Sequence, residues 1–183
     1  MAITQREKLL WKYDAAGIGR CAVISKDGRY RYVLGRRFPM SRILAGTEYR
    51  STMIIIGANP STADAEVDDA TIRRDMSFAR REQCEFMFKL NLGAYRATKP
   101  EDWQACHENP CGPDNDEWLT KFIRPTDIVV AAWGSLGSFM QLGARTRLML
   151  NAIGIQLKCF GLTKDGHPRH TLYTRSDCPL VAL

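Results

Sequence analysis

Residues Thr52-Met53-Ile54-Ile55-Ile56 form an unbroken apolar-rich run that stops at Gly57-Ala58-Asn59-Pro60-Ser61. A strand covered on one face alternates apolar and polar residues, so a continuous run is what a strand buried on both faces requires. Such a strand belongs in the middle of a sheet. Three more segments share this frame, at 85–90, 127–133 and 155–160. The intervening stretches carry helical spacing: 69–84, where Ile72, Met76, Phe78 and Ala79 alternate with arginines, about 114–123, and about 136–151. The β-α-β-α-β-α-β order predicts an α/β fold, a three-layer α/β/α sandwich on a central four-stranded parallel sheet. Ligands in such folds bind at the carboxyl ends of the strands.

Upstream, residues 5–14 are expected to form a short helix. Segments 21–24 and 30–34 flank Asp27-Gly28, a strong hairpin signal, and predict an N-terminal β-hairpin preceding the core. The whole chain, 1–183, is expected to be one domain with its core at about 50–175, a length that buries a sizeable interior without staples. No apolar run approaches the roughly 18 residues of a membrane span, and no apolar segment follows the N-terminal charges. A cytoplasmic monomer without membrane association is expected. Six cysteines lie scattered without C-x-x-C spacing and read as reduced thiols. Cys106, His107 and Cys111 make a weak ligand trio, so no metal and no cofactor is expected.

The net charge of +6 is carried largely by arginine, which suits a polyanionic partner, although a solvated basic surface has the same composition. The strand ends are more specific. Each predicted core strand stops at a small or polar motif: Gly57-Ala58-Asn59-Pro60-Ser61, Asn91-Leu92-Gly93, Trp133-Gly134-Ser135, and Gly161 running into Gly166-His167-Pro168-Arg169-His170. Taken singly, Asn59-Pro60 reads as a turn and helix cap, Asn91 as a strand-end turn residue, the histidines as loop residues and Trp133 as core. Four such motifs at one sheet edge would build a polar pocket.

In that order the motifs resemble those of the uracil-DNA glycosylase superfamily, where the first strand ends in G-Q-D-P-Y or G-I-N-P-G, a later one in asparagine, and the last runs into H-P-S-P-L. The branch it most resembles is a bacterial and phage family described as a domain of unknown function. The resemblance implies a DNA glycosylase with DNA as partner. On this reading Asn59, Asp64, His167 and His170 are catalytic, and Gly57, Ala58, Pro60, Ser61 and Asn91 bind the base. Arg73, Arg74, Arg96, Ser135 and Arg169 contact DNA. Which histidine faces the base stays open.

The residue types suit this chemistry. Breaking an N-glycosidic bond places negative charge on the departing base, and a neutral histidine can donate to its carbonyl oxygen. Asn59 can orient water but cannot take its proton, whereas Asp64, Asp68 or Asp69 can supply a carboxylate. Asn91 offers a donor and an acceptor for an extruded base. The pocket motifs contain no lysine nucleophile, so no Schiff-base step is expected. Ser61 stands where the uracil-specific branch has a tyrosine, which implies room for a 5-modified pyrimidine. A non-catalytic DNA-binding module and a hydrolase of free nucleosides or nucleotides are the alternatives.

Overall fold

The computed structural model describes residues 5–39, 51–61, 66–106 and 109–183. Its framework is one mixed sheet of eight strands: β1 (Lys12–Tyr13), β2 (Gly19–Ile24), β3 (Arg31–Arg37), β4 (Thr52–Gly57), β5 (Phe86–Asn91), β6 (Ile128–Ala131), β7 (Leu157–Cys159) and β8 (Val181–Ala182). They lie in the order β1-β2-β3-β5-β4-β6-β7-β8. The pairs β1–β2, β2–β3, β3–β5 and β7–β8 are antiparallel, whereas β4–β5, β4–β6 and β6–β7 are parallel.

The fold is thus α/β, but the sheet is twice as large as the four parallel strands expected, and mostly antiparallel by pairing. The N-terminal hairpin accounts for much of the difference. It turns at Gly28, whose φ of +75° suits glycine, and the Gly28 amide donates to the Ser25 carbonyl at 2.9 Å. The ribbon is no appendage, because β3 joins the sheet by pairing Leu34 with Lys89 through to Arg37 with Phe86. β3 carries arginines at 31, 36 and 37. In the fold Arg36 is fully buried, its charge met by Asp68 at 2.6 Å and its Nη1 by the Gly35 carbonyl.

All six positions of β4 are buried. Ile54 and Ile56 face one core, with Phe88, Leu90, Leu119, Phe122 and Leu150. Met53 and Ile55 face the other, with Ile72, Met76, Phe78 and Ala79. The first core is covered by α3 (Asn115–Phe122) and α4 (Leu142–Ala152), the second by α1 (Ala70–Arg81); a short α2 spans Pro100–Gln104. The Asp69 carboxylate caps α1 by accepting from the Ile72 amide at 2.8 Å.

Two expected helices differ. Residues 5–14 make only one 3-10 turn, Gln5–Lys8, before β1, and the Trp11 ring lies 5.9 Å from those of Phe86 and Phe88. The helix expected from 136 starts at Leu142, because 134–141 is a 3-10 stretch broken at Phe139 and Met140. Gly137 there lies so close to the indole of Trp133 that a Cβ would fall 2.2 Å from it. Among the described residues, no helix is long and apolar enough to cross a membrane.

Candidate functional site

Strands β5, β4, β6 and β7 run the same way, so their carboxyl ends share one edge, and a cavity of about 540 Å³ opens there. That volume lies within the range of about 300–1,000 Å³ usual for small-molecule sites. Gly57 and Asn91 end β4 and β5 at its wall, and Trp133, Gly134 and Ser135 follow β6 into it. Thr163, Arg169 and His170 enter from beyond β7. The loops are sewn together by their backbones. Leu92 and Gly93 amides donate to the Gly57 and Ala58 carbonyls, each at 2.9 Å, and Gly134 donates to Pro168 at 2.9 Å.

His170, rather than His167, reaches the cavity. Leu162 and Pro168 form a bridge, and the His167 amide donates to Thr163 Oγ1 at 3.1 Å, which places His167 in a small hairpin outside the cavity lining. His170 Nδ1 accepts from the Leu172 amide at 3.3 Å, so a neutral ring carries its proton on Nε2. Burial, reinforced by the nearby Lys89 ammonium, pushes its pKa down to about 4 against the opposing pull of Asp75 and Asp69. The ring is therefore a neutral donor at physiological pH.

This shift has a consequence for stability. A folded pKa near 4 against an ordinary 6.5 means that protons favour the unfolded chain. The penalty is absent above about pH 6.5 and grows as the pH falls towards 4, to at most about 3 kcal/mol. Urea unfolding at pH 7.5 and 4.5 is expected to show a smaller loss for His170→Gln than for the wild type. Equal losses would contradict the assignment.

The two asparagines keep less hydrogen-bonding capacity than their types suggest. Asn59 lines the cavity, but its Nδ2 donates to the carbonyls of Ala97 at 3.0 Å and Pro60 at 3.3 Å, leaving only its oxygen to accept. Asn91 is buried, and with its amide turned to suit its neighbours Nδ2 donates to Leu90 and Asn59 carbonyls at 3.2 and 3.3 Å. It is an acceptor in the cavity wall, not the donor–acceptor pair expected. Ser61 Oγ donates to Asp69 Oδ2 at 2.9 Å, and both residues line the cavity. Asp68 instead lies between Arg36 and Arg20, at 2.6 and 2.9 Å. Asp64 lies outside the described residues.

Ala58 also lines the cavity, whereas Pro60 does not. Arg169 and Ser135 sit exposed at the cavity, Arg169 donating through Nε to the Leu162 carbonyl at 2.8 Å. Arg73, Arg74 and Arg96 are not part of the lining, and each guanidinium donates to a carbonyl of its own chain: Asp68, Thr174 and Gly28 respectively. Among the described residues, no group of three metal-ligating side chains is assembled.

Sequence reasoning missed Lys89 and Asp75. Lys89 lines the cavity from inside β5, two residues before the Asn91-Leu92-Gly93 motif. It is 4% exposed and its Nζ lies 2.9 Å from Oδ2 of Asp75, which α1 presents fully buried. Gly57 leaves room for the lysine stem, since a Cβ there would meet Lys89 Cε at 2.9 Å. The available signal was a lone lysine in an apolar strand, two residues from Met87 and from Asn91 on the same face.

An α/β protein with a ligand-sized cavity, lined by both apolar and polar side chains, at the carboxyl edge of its sheet is the class that fold and site define. The family model described as "Protein of unknown function (DUF1643)" matches residues 31–172, and the chain belongs to that family. No curated protein and no solved structure matches it significantly.

Proposed function

We propose that the protein is a DNA glycosylase that hydrolyses the N-glycosidic bond of a flipped, 5-modified pyrimidine. The observation that carries this reading is His170, a neutral Nε2–H donor at a cavity whose wall also holds a carboxylate. As the bond from C1′ to the base breaks, its electron pair moves onto the base, and the Nε2–H stabilises the charge growing on a base carbonyl oxygen. Water adds to C1′. The oxygen of Asn59 accepts one of its hydrogens to orient it, and Asp69 is the cavity carboxylate able to take the proton. The Asn91 oxygen suits a ring or exocyclic N–H of the base.

Ser61 bears on the choice of base. A small hydroxyl on the cavity wall, in a space of about 540 Å³, leaves room for a substituent on the pyrimidine 5-position. Oligonucleotides carrying uracil, thymine, 5-hydroxymethyluracil or a bulkier 5-modified base should be excised in an order that favours the modified bases, read as alkali-labile strand breaks. Ser61→Tyr should reverse the order towards uracil. DNA binding that leaves every base in place would reject the hydrolytic reading, and an unchanged ranking in Ser61→Tyr would reject the open wall.

A further inference from the structure

We propose that Lys89 and Asp75 are positioning residues for His170, an ion pair beneath the cavity that fixes the histidine turn against α1 and sets the electrostatic surroundings of its ring. The role of that ring in base removal rests on the function proposed above. The placement itself does not.

Geometry carries the inference. Thr171 Oγ1 donates to Asp75 Oδ1 at 2.5 Å, and the neighbouring Arg74 donates to the Thr174 carbonyl, so α1 holds both ends of the turn that follows His170. Thr171 and Thr174 are themselves buried. Within the turn, Thr174 Oγ1 and the Tyr173 amide each donate to the His170 carbonyl at 3.1 Å. The histidine backbone is therefore located by α1, through Asp75, and not by its own loop alone.

Lys89 supplies the second half. Its Nζ and Asp75 Oδ2 lie 2.9 Å apart, yet among the described residues neither atom makes a well-angled hydrogen bond, so the two act on each other through charge. A buried pair of this kind is often no more stabilising than apolar residues of the same volume. Its place beside the ring gives it another use. The charged groups that act most on the His170 ring are Lys89 from β5, Asp75 from α1 and Asp69 at the α1 cap; Arg31 and the neighbouring Arg169 also line the cavity, and the Tyr173 ring lies 5.8 Å away. Lys89 opposes a second positive charge on the ring.

The test is the NMR titration of the His170 ring, which needs no substrate and so stands apart from the glycosylase reading. In Lys89→Met the midpoint should rise by about one pH unit or more, because the cation is gone and Asp75 remains. Lys89→Arg should restore the wild-type midpoint. Should Lys89→Met fail to fold, Asp75→Asn, which keeps an acceptor for Thr171, is compared with the charge-free K89M/D75N. The latter should titrate higher than the former. Equal midpoints in either comparison, or Lys89→Arg shifting as Lys89→Met does, would overturn the proposal.

Discussion

Replacing His170 by alanine should lower the rate of base excision by about 10²–10³-fold, the usual loss when one preorganised donor to a developing oxyanion is removed. His167→Ala should stay within a few-fold of the wild type, since His167 is outside the cavity lining and is held by Thr163 through its backbone. Single-turnover excision of the best base measures both. The pH dependence separates the buried ring from one with an ordinary pKa. A ring that works uncharged and titrates near 4 keeps activity down to about pH 5, whereas a base with an ordinary histidine pKa would lose it below about 6.5. The reverse ranking of the two histidine variants would move the catalytic role to the outer hairpin.

The second large effect is on stability. Lys89→Met removes the cation from a fully buried carboxylate, and stranding one member of a buried pair costs about 3–5 kcal/mol. Asp75 cannot recover by turning to water, since it is fully enclosed between α1 and β5. The double variant K89M/D75L replaces both charges with apolar groups and should regain most of the loss. Chemical denaturation of the three proteins at pH 7.5 checks this. A Lys89→Met protein as stable as the wild type would show that the pair contributes little to holding α1 on the sheet.

Together the two experiments separate roles that the cavity mixes. His170 is expected to affect chemistry with little effect on stability at neutral pH, because its ring is uncharged there in folded and largely in unfolded chains. Lys89 is expected to affect stability first and chemistry only through the ring it faces. The arginines expected to contact DNA divide in a similar way. Arg74 and Arg96 donate to carbonyls of Thr174 and Gly28, contacts that hold loops; Arg169 also donates to a carbonyl, that of Leu162, but stands exposed at the cavity.

Much of the strand framework was legible because burial on both faces leaves a continuous apolar run, as at Thr52–Gly57. The hairpin at Gly28 was legible because its backbone needs a residue tolerant of positive φ. The small and polar strand ends were legible as a group, since parallel strands deliver their carboxyl ends to one edge. The width of the sheet was not. Whether β3 pairs with β5 depends on partners far along the chain, and the arginines of β3 conceal its burial until Asp68 is placed beside Arg36.

The sequence by itself determined the α/β character, the order of the central elements and the residue types at the sheet edge, because these follow from local periodicity and turn chemistry. Only the tertiary structure decided between His167 and His170, withdrew the donor groups of Asn59 and Asn91 into backbone contacts, and brought Lys89 to Asp75. Each of those outcomes turns on which group a polar atom meets across the fold. A side chain's free donors and its charge state are set by such partners, which chain order does not specify.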